Sequence, residues 1–154
     1  MRDLEELFGE LRSLEEKIEF NGAKSEELVT SLETALGVKF PPSYRQFLLN
    51  FGGAFLTGNI ISGIYESAPL MPNEGSTFGD TQRYREVFGM PNYLIVVAPD
   101  EDAPYCLDSR ETDENGEMPV VCYTFHTKHI GVIAESFEEY LIEWFLPLAK
   151  GDTA

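Results

Sequence analysis

Basic side chains are scarce in this chain: 11 Lys and Arg stand against 27 Asp and Glu, a formal net charge of −16 over 154 residues. A surface this negative repels phosphate backbones and anionic membranes, which argues against nucleic acid or acidic lipid as a direct partner and makes a basic protein the natural complement. Cysteine is nearly absent. The pair Cys106 and Cys122 is too few for a disulfide framework, and in a reducing compartment both are read as free, buried thiols. Histidine is limited to His126 and His129. With Cys122 they form a Cys-x3-His-x2-His arrangement, but a turn at Thr127-Lys128 redirects His129 and a closed site would need a fourth ligand, so no metal is expected. Long apolar runs are missing as well. Met1 to Phe20 alternates Leu and Phe with charges, so neither an export signal nor a membrane span is expected, and cytoplasmic residence is the default.

The motifs of catalysis are also lacking. A Cys/His pair has no orienting third group and no glycine-rich oxyanion loop beside it. The acidic stretch from Asp108 to Pro119 fails as a calcium loop, because Arg110 occupies the third position and Gly116 comes too late for the sharp turn. Gly52, Gly53, Gly58 and Asn59 are not followed by Lys and Ser/Thr at phosphate-loop spacing. Carboxylate pairs can be picked from so many acids that they carry no information. The chain reads as a non-enzyme without a cofactor.

What is present is a well-punctuated set of elements. Leu4, Leu7, Phe8, Leu11, Leu14 and Ile18 recur at helical spacing and predict an amphipathic first helix closed by Asn21-Gly22. Ser25, with Glu26 and Glu27 behind it, caps a second helix carrying Leu28, Leu32 and Leu36. A third starts at the Pro41-Pro42 pair, places Tyr44, Phe47, Leu48 and Phe51 on one face and leaves through Gly52-Gly53. A Gly- and Pro-rich stretch from Gly58 to Gly75 holds one strand around Ile60 to Tyr65. Ser76 to Phe88 reads as a helix with Tyr84, Val87 and Phe88 buried. Strands are expected at Tyr93–Ala98, Pro104–Leu107, Met118–Phe125 and His129–Ala134, and a final helix opens at Glu135-Ser136, docking Phe137, Tyr140, Leu141, Trp144 and Phe145. With no helical crossover between the strands, antiparallel pairing follows. The expected fold is therefore α+β: one domain over residues 1–154, with a mainly antiparallel sheet of about five to six strands, N-terminal helices (the first within residues 1–23) and a C-terminal helix packed on it.

Acids cluster late in the chain. Asp100, Glu101, Asp102, Asp108, Glu111, Asp113, Glu114 and Glu117 face only Arg110 there, and on turns they are expected to concentrate negative potential on one edge of the sheet. Tyr65, Phe78, Tyr105 and Tyr123 are the candidate aromatic anchors beside them, whereas Phe47, Phe51, Phe137 and Trp144 are read as core.

The segment GVKFPPSYRQFLLNFGGAFLTGNI, Gly37 to Ile60, resembles the central signature of the SUKH superfamily, the family of a fungal cell-wall-synthesis regulator and of many bacterial immunity proteins. The similarity continues through Asn92 to Asp100, Tyr105-Cys106-Leu107-Asp108, Pro119-Val120-Val121 and Ser136-Phe137-Glu138-Glu139-Tyr140-Leu141, covering about residues 24–146. One departure is Ala103-Pro104, where the family often carries Gly-Asp. The resemblance implies a non-enzymatic cytoplasmic immunity protein that neutralises a cognate, basic toxin such as a nuclease. Asp100, Glu101, Asp102, Asp108 and Glu114 would then steer the partner, and Tyr65 and Tyr105 would anchor it. The fungal branch implies an alternative, an intracellular scaffold or regulatory protein-interaction module.

Overall fold

A computed structural model of the chain describes residues 3–151. Helix α1 (Leu4–Arg12) is followed by β1 (Glu19–Phe20), helices α2 (Glu26–Leu36) and α3 (Pro42–Phe51), and strands β2 (Ala54–Leu56) and β3 (Asn59–Ile61); the three strands form a small antiparallel sheet in the order β1-β2-β3. Helix α4 (Thr77–Phe88) leads into a four-stranded antiparallel meander of β4 (Leu94–Ala98), β5 (Tyr105–Asp108), β6 (Val120–Thr124) and β7 (His129–Ala134). The chain ends in α5 (Phe137–Tyr140), a π-helical turn (Leu141–Phe145) and α6 (Leu146–Lys150). The α+β class and the antiparallel pairing are as expected, with the strands divided between two sheets.

Local chemistry accounts for the helix starts. Ser25, Ser76 and Ser136 each accept a hydrogen bond from a backbone N–H three residues on, at 3.2, 3.2 and 3.1 Å. Pro42 occupies the first turn of α3, where a missing N–H costs nothing. That helix has no side-chain cap of its own. Instead Glu117, 74 residues away, accepts from the Ser43 N–H at 3.0 Å and from its hydroxyl at 2.6 Å. The π-turn before Pro147 widens the last helix where the proline ring would otherwise meet the preceding turn.

The meander is covered on both faces. Ile95, Val97, Leu107 and Val120 face the main core, shared with α1 to α3 and the last helix, while Leu94, Val96, Cys106 and Val121 face a smaller cluster under α4 with Tyr84 and Met90. Burial on two sides explains why β4 is apolar throughout. Its outer edge is closed by side chain and loop: Val96 N–H donates to Thr81 Oγ1 at 3.0 Å, and Ser62 N–H donates to the Val97 carbonyl at 2.8 Å, which joins the two sheets.

Three expectations change here. The first helix stops at Arg12, and residues 14–17 turn before β1 pairs with β2, Glu19 opposite Phe55 and Phe20 opposite Ala54. Strand pairing overrides the helical period, though Ile18 is still buried. In α4, Val87 is 65 % exposed and Phe88 is exposed too; the buried side is Thr77, Asp80, Thr81 and Tyr84. The helix turns a polar face inward because it has unpaired backbone to satisfy. Trp144, read as core, is 46 % exposed.

The titration behaviour of the fold follows from one buried carboxyl, Asp80, and one partly buried, Glu138. Burial raises Asp80 above the ordinary carboxylate range despite bonds from Ser62 and Arg83, and Glu138 is raised by burial and by the neighbouring Glu117 and Asp3 charges. A raised folded-state value means that the native state binds more protons in the window between the unfolded and folded values. Stability from these groups is complete below the unfolded value, near 4, and is lost as pH rises through the folded one. Relief of the −16 net charge acts in the same direction. The unfolding midpoint is therefore expected to be higher at pH 5.5 than at pH 7.5. A calorimetric midpoint that is lower at the more acidic pH contradicts this account.

Candidate partner-binding site

The acids adjacent in sequence are not adjacent in space. In an antiparallel meander the two connections flanking one strand leave from its opposite ends. Asp100, Glu101 and Asp102 lie in the β4–β5 connection, and Glu111, Asp113, Glu114 and Glu117 in the β5–β6 connection, so β5 separates them by its length, about 13 Å for four residues. The expected single acidic edge is two acidic ends.

At the β5–β6 end much of the charge is spent on structure. Asp108 is buried and holds Arg110 through Oδ1 and Oδ2 at 3.1 and 2.9 Å, with the guanidinium 3.9 Å from the centre of the Tyr93 ring. As a neutralised pair it adds little to the outer field, which corrects its placement among the steering acids. Asp113 Oδ1 accepts from the Asn115 and Glu117 N–H groups at 2.8 and 2.9 Å, and Glu117 caps α3. Glu111 and Glu114 are exposed.

At the other end, Asp100 and Tyr105 line one cleft of about 270 Å³, together with Asn59 and Ile60 of the β2–β3 hairpin, Cys122 of β6 and Tyr140 of α5. Asp100 Oδ2 accepts from the Asp102 and Ala103 N–H groups at 3.1 and 3.0 Å, an Asx turn that holds the connection in place. Glu101 and Asp102 are exposed beside it. Tyr140 is only 6 % exposed, yet its hydroxyl has no hydrogen-bond partner among the described residues. Burial, then the neighbouring Tyr105, raises its pKa. Tyr105 is raised by burial and then by the Cys122 and Asp100 charges. An aromatic row leads outward from the cleft: Tyr140 meets Tyr105 edge-on at 5.8 Å between ring centres, and Tyr105 meets Trp144 at 6.2 Å. The Trp144 indole N–H donates to the Ile133 carbonyl at 3.3 Å, which fixes the ring at the surface.

The remaining candidates lie elsewhere. Tyr65 sits between β3 and α4, where its hydroxyl donates to the Glu74 carbonyl at 3.0 Å and braces its own loop. Tyr123 is buried in the smaller core, and Phe78 packs against the main one. Cys106 and Cys122 are on adjacent strands but opposite faces, since Cys122 pairs with Tyr105 and Cys106 with Val121. Both are free. Burial, and for Cys122 the nearby Asp100 charge, pushes both thiols up, away from the reactive thiolate. His126 and His129 are exposed at the β6–β7 turn, and no group of three metal-ligating side chains forms among the described residues. No described helix is long and apolar enough to cross a membrane.

Sequence reasoning missed Tyr140 and the β2–β3 hairpin as parts of this site. Tyr140 reads from spacing as one more core residue of the last helix, and only the meeting of that helix with two sheets turns its hydroxyl toward a cleft. A family model, SUKH_5, described as SMI1-KNR4 cell-wall, matches residues 4–146. The match takes in α1 as well as the segment whose motifs are legible by eye.

Proposed function

This chain belongs to the SUKH superfamily, a family that includes immunity proteins, and from that premise we propose that it is a non-enzymatic immunity protein that neutralises a basic, nuclease-type toxin in the cytoplasm. The observation that carries this reading is the surface charge. A net −16, displayed on exposed acids at both ends of the meander, complements a surface built to hold phosphates, and carboxylates laid there would occupy it. Exposed Glu101 and Asp102, with Asp100, steer the approach at the cleft end, and Glu114 does so at the other. Tyr105 anchors the partner once it has docked.

The test is a pull-down with tagged protein, eluted along a salt gradient. One basic, toxin-like protein released only at raised salt is the expected result, and several unrelated weak partners would favour a scaffold instead. With the partner in hand, the triple variant Glu101→Lys, Asp102→Lys, Glu114→Lys should slow association by about 10-fold or more at low salt, with an unchanged unfolding midpoint. An unchanged on-rate in a folded variant would remove electrostatic steering from the account.

A further inference from the structure

We propose that the cleft at the β4–β5 end is a receptor for a single arginine side chain of the protein partner; this rests on the reading above and assigns the contact that gives it specificity. The cleft's volume, about 270 Å³, falls below the roughly 300–1,000 Å³ typical of sites for whole small molecules and suits one long side chain. Its polar groups are left waiting for a donor. Asp100 Oδ2 is taken by two backbone N–H groups, while Oδ1 accepts nothing from the described residues. Tyr140, 6 % exposed as a residue, lines the cleft, and its hydroxyl has neither donor nor acceptor among the described residues. Neither oxygen is committed to a protein donor, so both stay free to accept from the N–H groups of a ligand that enters the cleft.

The walls select the ligand. Tyr105 and Tyr140 meet edge-on, at 83°, and Tyr140 is nearly buried, so the cleft offers the half-buried Tyr105 ring, the Tyr140 hydroxyl and a carboxylate. Guanidinium is planar, stacks on an aromatic ring, donates from five N–H groups and stays charged; an ammonium matches only the charge. In this arrangement the guanidinium donates to Asp100 Oδ1 and to the Tyr140 oxygen and lies against Tyr105, and the half-exposed Trp144 forms the apolar rim on which the partner's surface settles. The dense acids of the β5–β6 end take no part. They raise the rate of encounter, and the cleft at that end, about 540 Å³, is lined by Lys39, Ser109, Thr112 and Met118 but by none of those acids.

The experiment is an amide-resolved NMR titration of the ¹⁵N-labelled full chain with N-acetyl-arginine methylamide, and with the neutral citrulline analogue as control. Shifts confined to residues 58–60 and 98–105, Cys122, Tyr140 and the Trp144 indole, seen for the arginine probe and not for citrulline, are the expected result. Asp100→Asn should weaken the probe about tenfold and Tyr140→Phe several-fold, whereas Glu114→Lys leaves it within about twofold. Because the Tyr140 hydroxyl bonds to nothing in the protein, Tyr140→Phe keeps the fold and the test stands. Equal shifts at both acidic connections, equal binding of citrulline, or an indifferent Tyr140→Phe would overturn the proposal. The two readings fail separately. A basic partner whose affinity ignores Tyr140→Phe and Asp100→Asn removes the arginine receptor and leaves the inhibitor; a cleft that takes the probe in a protein that captures no basic partner does the reverse.

Discussion

Gly63→Ala should lower the unfolding midpoint by roughly 6–12 °C, or prevent folding, although it adds one methyl group to a chain of 154 residues. A Cβ at that position would stand 1.9 Å from the Gly52 carbonyl oxygen, 2.6 Å from its carbon and 2.8 Å from the Gly53 Cα. All three are backbone atoms, so no side chain can swing aside. The reason for the crowding is the exit from α3. Gly52 leaves the helix with φ 70°, and its carbonyl accepts from Ile64 N–H at 2.7 Å, drawing the two segments into contact at Gly63. Separating them breaks that bond and the neighbouring Gly63–Gly75 bond at 2.8 Å. A cost of about 3 kcal/mol or more is expected from overpacking against fixed backbone. Gly9→Ala is the control. It lies inside α1 with nothing within 4 Å of the added methyl, and should be neutral or stabilise by up to about 1 kcal/mol. Thermal denaturation of the two variants side by side decides the matter, and near-equal midpoints would contradict the steric account.

Asp80→Ala is expected to destabilise by about 3 kcal/mol and to loosen the connection between β3 and α4 before the rest of the domain. Asp80 is fully buried. Its carboxylate accepts from Ser62 Oγ at 2.6 Å, from the Gly75 N–H at 3.1 and 3.3 Å, and from Arg83 at 2.6 Å. A second bond system runs beside it: the Tyr44 hydroxyl lies 2.8 Å from the Ser62 carbonyl and 2.7 Å from Thr77 Oγ1. Removing the carboxylate strands the Ser62 hydroxyl and the Gly75 N–H in a dry site, whereas the partly exposed Arg83 regains water. Asn is no substitute, because the groups that face the carboxylate are all donors. Arg83→Gln, which leaves the buried bonds in place, should cost about 1 kcal/mol. Hydrogen exchange is the sharper readout. Amides of residues 63–76 should exchange faster in Asp80→Ala while those of β4 to β6 keep their protection, and uniform loss of protection would mean that the network supports the whole core instead of this loop.

Much of the architecture is legible in the residues because its signals are local. Serines 25, 76 and 136 start helices through bonds three residues long, Pro42 fits a first turn, and the apolar runs of β4 to β7 need only alternation and turns to declare themselves. Where the reading fails, a distant segment has intervened. Leu14 and Ile18 continue a helical period that β1 interrupts in order to pair with β2, and Val87 and Phe88 look like core until Thr81 is needed to close the β4 edge and Thr77 and Asp80 to bond Tyr44, Ser62 and Gly75. Glu117 looks like one acid among many and is the cap of a helix 74 residues away.

By itself the sequence determines the charge, the order of the elements and the membership of a family, since each rests on composition or on contacts a few residues long. Only the tertiary structure decides that the acids form two ends, that Asp108 is neutralised by Arg110, and that Asp100, Tyr105, Cys122 and Tyr140 share a cleft. The reason is geometric. Antiparallel pairing sends successive connections to opposite ends of a strand, and a last helix crossing the junction of two sheets brings together side chains that no spacing along the chain relates.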